Sequence, residues 1–230
     1  MSKPPEQVKV EVGDYGSITA LLYEAEKKNR AGITVILGHG AGANQLSPFM
    51  VTFAQGLASR GLDTMTFNFL YSEARRGAPD PKAKLEACYS AVIAAARKHK
   101  KLKGNRVAIG GKSMGGRIAS QVAAGDEEDL LGLVFLGYPL HPPGRPDKLR
   151  DEHLPQVKAP MFFIQGERDT FGSPNELRAV FKRLRITAKL LEIPTGDHSF
   201  KVLKSVGMSQ TDLYEMVMNE ITNWLNSIST

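Results

Sequence analysis

"GGKSMGG", Gly110 to Gly116, admits three readings: a loop that wraps phosphate, a turn that loosens the end of a strand, or a bend that presents Ser113 as a nucleophile. The residues before it, "RVAIG" from Arg106, form a short apolar run, and those after it, "GRIASQVAA" from Gly116, have a helical pattern. A G-x-S-x-G match is weak alone and gains its meaning from a strand, a turn and a helix in that order, which is the context here. To point its side chain out of so sharp a bend, Ser113 must take a strained backbone. The residues two positions either side must be small where strand and helix crowd, and Gly111 and Gly115 meet that need. The N–H of Met114 then sits at the positive end of the helix, able to stabilise an oxyanion.

The phosphate readings fail on detail. G-x-x-x-x-G-K-S would require glycine at position 106, which is Arg106. "GHGAGA", Gly38 to Ala43, fits the loose dinucleotide pattern G-x-G-x-x-A, but Asn44 to Pro48 postpone the helix that this pattern opens at once. Leaving the run "ITVILG", the same segment reads better as an oxyanion loop with the Ala41 N–H as donor. A plain glycine turn is its bland alternative. His39 reads as a structural hydrogen-bonding residue.

Working outward, "QVKVEV" and "SITALLYEA" flank Gly13, Asp14 and Gly16 and predict an antiparallel hairpin. Six further short apolar runs begin at Ile33, Leu62, Arg106, Leu130, Ala159 and Ala188. Most alternate with helical stretches: Ser47 to Arg60, Pro81 to Lys100, the residues after Ser113, Asn175 to Leu184, and Thr211 to Ile228. Cys88 lies on the apolar stripe of the second helix and reads as a buried filler. The expected architecture is α/β, a single domain over residues 1–230. It is a mostly parallel twisted sheet covered by helices on both faces, with an N-terminal antiparallel hairpin and no lid domain, since the Pro-rich connection after Tyr138 is too short for one. Functional groups should gather at the carboxyl ends of the strands.

A serine hydroxyl needs a neutral imidazole to take its proton and a carboxylate to orient that ring. Of the five histidines, His198 in "PTGDHSF" follows the last expected strand and can swing over the sheet, whereas His99 and His153 read as solvated or structural. Asp169 in "FFIQGERD" lies just beyond its strand and is preferred over Glu167, still held by the strand, and over Asp197, awkwardly next to the histidine itself. Ser113, Asp169 and His198 follow in that order.

The chain carries +6 formal charge in 230 residues, but its basic residues are scattered except in "RKHKKLKGNR", Arg97 to Arg106, which closes a helix. That favours a solvated face over a nucleic-acid reading, and no nucleic-acid partner is expected. One cysteine excludes a disulfide scaffold. The first residues lack an apolar signal core and no apolar run is long enough to span a bilayer, so a cytoplasmic location without membrane contact is expected. No metal or cofactor is expected, because no ligand-spaced cluster is present.

"GHGAGAN", "GGKSMGG", "YPLHPPGRPDKLRDEHL", "QGERD" and "GDHSF" together resemble the α/β-hydrolase superfamily, within it a cap-less, dienelactone-hydrolase-like branch. The nearer likeness is to the testis-expressed-protein and non-specific-lethal-complex-subunit hydrolases. The resemblance implies a triad of Ser113, Asp169 and His198 with oxyanion donors on Ala41 and Met114. Dienelactone hydrolase uses a cysteine where this chain has Ser113, a departure that bears on lactone cleavage. A serine esterase acting on a small acyl ester or thioester is the expectation; the alternative, implied by relatives that are subunits of assemblies, is an interaction module with a protein partner. Tyr71 and His141 are the candidate substrate contacts. Arg75 and Arg76 stand near them, their charge read as ordinary loop charge.

Overall fold

The computed structural model describes residues 3–125 and 129–229. The first hairpin pairs β1 (Glu6–Glu11) with β2 (Ser17–Tyr23), antiparallel, across a turn that uses Gly13 and Gly16 at positive φ. The chain then lays down β3 (Ile33–Gly38), α1 (Pro48–Ser59), β4 (Asp63–Phe67), the one-turn α2 (Leu70–Glu73), α3 (Lys82–Lys98), β5 (Arg106–Lys112) and α4 (Met114–Ala123). After it come β6 (Gly132–Leu136), β7 (Met161–Gly166), α5 (Pro174–Leu184), β8 (Lys189–Ile193) and α6 (Gln210–Ser227).

The strands form one sheet in the order β1-β2-β4-β3-β5-β6-β7-β8. β2 pairs antiparallel with β4, and from β4 to β8 every pairing is parallel. Alternation along the strands explains the layers. In β6, Leu133 and Phe135 face a core shared with α3, α4 and α5, while Val134 and Leu136 face a second core built on α1 and α6. Met161 and Phe163 of β7 join the first core, Phe162 and Ile164 the second. Both faces are covered, as the apolar runs require. No helix among the described residues is long and apolar enough to cross a membrane.

Helix starts follow local chemistry. In α5, Ser173 caps the helix by accepting from the Glu176 N–H, Glu176 returns the bond to the Ser173 N–H, and Pro174 fills the first turn. The stretch from Tyr138 to Pro160 contains one 3-10 turn, Leu154–Gln156, and lies across the first core through Leu140 and Leu154. Ser113, Asp169, His198 and Ala41 all follow carboxyl ends of parallel strands, at β5, β7, β8 and β3.

Candidate active site

Ser113 is the N-cap of α4 with φ 51° and ψ −116°. A side chain in that region costs about 1–3 kcal/mol, so the surroundings must hold it there. Its N–H donates to Leu136 O at 3.2 Å, and its carbonyl accepts from the Arg117 N–H at 3.1 Å. A Cβ at Gly111 or at Gly115 would overlap Gly38 O. The end of β3 therefore packs directly against the bend, which is why glycine stands at both flanking positions.

His198 Nε2 lies 2.9 Å from Ser113 Oγ, and its Nδ1 lies 2.7 Å from Asp169 Oδ2. With a carboxylate on Nδ1, that nitrogen carries the proton and Nε2 is left to accept from the serine hydroxyl. Asp169 is buried; its Oδ1 accepts from the Phe171 N–H at 2.8 Å, and its Oδ2 also accepts from Gln165 Nε2 at 2.9 Å. Gln165 in turn ties down the Tyr138 N–H through Oε1 at 2.8 Å, so β7 braces both the carboxylate and the strand end beside it. The Phe171 ring packs on the His198 imidazole with centroids 4.2 Å apart. The rival carboxylates are engaged elsewhere. Glu167 Oε2 accepts from the Thr195 N–H at 2.7 Å, and Asp197 Oδ1 accepts from the N–H groups of Ser199 and Lys201 within the turn.

The loop after β3 is set from behind. His39 is fully buried; its Nδ1 donates to Gly40 O at 2.8 Å and its Nε2 accepts from the Phe69 N–H at 3.3 Å. Burial holds the ring below the usual histidine range, so it stays neutral and can play both parts. Gly40 O also accepts from the Ala43 N–H at 3.1 Å. In a planar trans peptide the N–H points opposite the C=O, so anchoring Gly40 O turns the Ala41 N–H away from His39. Gly40 itself lies against the bend: a Cβ built on it would come 3.7 Å from Ser113 Cβ. Met114 opens α4, where first-turn N–H groups have no partner within the helix.

Lys112, the middle residue between Gly111 and Ser113, runs under the site. Its Nζ donates to His198 O and lies 5.7 Å and 5.4 Å from the ring centroids of Phe49 and Phe200. Burial pushes its ammonium down to about 8, with Asp169 and Asp197 pulling the other way. Sequence reasoning passed over this residue; its signal was a lysine at a position that the bend turns inward. Ser113 opens into a cleft of about 300 Å³ whose walls include Ala41, Met114, Pro139 and Phe171. Tyr71 and His141 stand off that cleft. The Tyr71 hydroxyl donates to Ala41 O at 2.8 Å, and His141 places Nδ1 on Pro142 O at 2.9 Å and Nε2 on Glu176 Oε1 at 3.0 Å. Among the described residues no group of three His, Cys, Asp or Glu is arranged to hold a metal ion.

A family model described as "Alpha/beta hydrolase domain" matches residues 31–226. The fold is similar to that of an α/β serine hydrolase without lid from Xanthomonas campestris, with a TM-score of 0.75 at 19% identity over 97% of this chain and 96% of that one. A dienelactone hydrolase from Anabaena variabilis gives 0.72 at 22% identity over 96% of this chain and 97% of the other. An esterase from Pyrococcus furiosus gives 0.74 at 14% identity over 97% and 90%. At these identities the likeness is one of fold.

Proposed function

The chain belongs to the alpha/beta hydrolase domain family, and on that premise we propose that it cleaves a carboxylic ester or thioester through an acyl-enzyme on Ser113. The carrying observation is the unbroken line from Asp169 Oδ2 through His198 to Ser113 Oγ, with separations of 2.7 and 2.9 Å. Ser113 Oγ attacks the carbonyl carbon as its proton passes to His198 Nε2, and Asp169 stabilises the imidazolium that results. The oxyanion takes the N–H groups of Ala41 and Met114, each worth about 3 kcal/mol of transition-state stabilisation. Collapse breaks the C–O or C–S bond, and the proton on Nε2 goes to the departing alcohol or thiol. Water then gives a proton to the same nitrogen, attacks the acyl-serine and frees the acid and Ser113.

In this reading Lys112 steadies the His198 main chain, and Tyr71 acts on the oxyanion loop through Ala41 O rather than on substrate. The names of structural neighbours, esterase and serine hydrolase among them, support ester chemistry. Within the family, "YPLHPP" and "KLRDEHL" support a position near the testis-expressed-protein and non-specific-lethal-complex hydrolases. Incubation with a fluorophosphonate, followed by intact mass, tests the proposal. One adduct that maps to Ser113 and is lost in Ser113→Ala is expected; a folded protein that takes up none overturns it.

A further inference from the structure

The cleft that Ser113 opens into is also lined by two arginines, Arg117 and Arg150. Arg117 lies one helical turn after Ser113, its N–H bonded to Ser113 O, and both residues line the cleft. Arg150 comes from the opposite wall element, the connection after β6. Its main chain is pinned there, the N–H donating to Leu140 O at 2.8 Å and the carbonyl accepting from the Tyr138 hydroxyl at 2.8 Å.

Among the described residues neither guanidinium has a carboxylate partner, and Arg117 Nε is buried with no hydrogen bond at all. Two half-buried cations on one cavity, with Glu86 acting favourably on Arg117 but no carboxylate in ion-pair contact with either, repel each other and pay for desolvation, an arrangement that folding alone does not favour. Burial first, and then the Arg150 charge, hold the Arg117 guanidinium below its usual range. Among the cleft's lining residues the one carboxylate, Asp80, pairs Oδ1 with Arg76 at 2.7 Å and leaves Oδ2 buried without a hydrogen bond, and against it Arg117, Arg150 and Lys82 keep the lining net positive.

We infer that Arg117 and Arg150 bind an anionic group of the substrate, a carboxylate in the first instance, so that the ester cleaved at Ser113 bears a negative charge a few bonds from its carbonyl. The inference rests on the serine-hydrolase reading and adds the substrate class to it. Planar guanidinium forks suit a carboxylate, and a desolvated site strengthens the pairing. The cleft of about 300 Å³ has room for a short acid-bearing acyl group.

The test compares two esters of matched shape, 4-nitrophenyl hemiglutarate and 4-nitrophenyl 5-methylhexanoate, with spontaneous hydrolysis subtracted. The wild-type protein is expected to favour the hemiglutarate in kcat/KM by about tenfold or more, an advantage that shrinks with added salt. In Arg117→Gln and in Arg150→Gln, kcat/KM for the hemiglutarate should fall by about tenfold more than for the neutral ester, mostly through KM, and Arg117→Lys should recover part of the loss. The neutral ester doubles as the control for folding. Turnover of both esters without preference, or equal losses on both in the variants, overturns the anionic substrate and leaves the serine hydrolase standing. No turnover of either ester together with no fluorophosphonate adduct overturns both.

Discussion

Helix α4 and its N-cap carry two serine–histidine pairs, and the shorter of them is the one with no carboxylate behind its histidine. Ser120 Oγ lies 2.7 Å from His153 Nε2, against 2.9 Å for Ser113 Oγ and His198 Nε2. The direction of the proton separates them. Ser120, in the helix interior, donates its hydroxyl to Arg117 O at 2.7 Å, so His153 must be the donor in the second bond and cannot act as a base towards that serine. The charges acting on His153 are the cations Lys82 and Arg117, and burial followed by these pushes its pKa down to about 4. His198 instead has the buried Asp169 carboxylate on its far nitrogen. Ser113 sits at positive φ with a helix N-terminus beside it, whereas Ser120 has ordinary helical backbone. The two pairs differ in their supports rather than in their spacing.

The largest effect that could break this comparison is on turnover. Ser113→Ala should lower kcat on a 4-nitrophenyl ester by about 10⁵-fold or more, while Ser120→Ala leaves it near wild type. Similar losses in the two variants would erase the distinction. Next, Asp169→Asn should cost about 10⁴-fold in kcat because the ring takes the wrong tautomer, with His153→Gln as the silent counterpart. Steady-state rates on the same ester decide this.

Two smaller effects concern stability. Ser120→Ala strands the His153 Nε2 proton in a half-buried site and should destabilise the fold by about 1–3 kcal/mol in urea titrations at pH 7.5. The smallest is pH dependence. A histidine held near 4 when folded and at its ordinary 6.5 when unfolded leaves the unfolded chain holding the extra proton between those values. Its contribution is complete above about 6.5 and drains as pH falls towards about 4. His153→Gln should flatten that part of the urea-midpoint profile, and an unchanged slope would mean that the ring is not held neutral.

Much of the fold was legible because strand alternation and helix caps are local. The hairpin, the strand runs and the Ser47–Pro48 start of α1 each follow from a few neighbouring residues. The one-turn α2 was not legible, since four residues are too few to show a period. His153 read as solvated or structural; it is half-buried against Ser120, a partner 33 positions away that no local pattern marks. Tyr71 and His141 were singled out as substrate contacts for their place after strand ends, whereas their polar atoms are taken by Ala41, Pro142 and Glu176. Gln165 and Lys112 were missed because a polar residue in an apolar run gives no hint of which buried acceptor it serves.

What the sequence determined by itself was the bend. Glycines two positions either side of Ser113, between an apolar run and a helix, leave few other backbones open to it. Sequence order also limited the partners of Ser113, because the parallel sheet brings the segments after β5, β7 and β8 to one edge. Tertiary structure alone decided how Ser120 and His153 pair, which groups brace Asp169 and which arginines line the cleft. Those outcomes depend on hydrogen-bond direction and desolvation among residues tens of positions apart, and neither is encoded in any one stretch of chain.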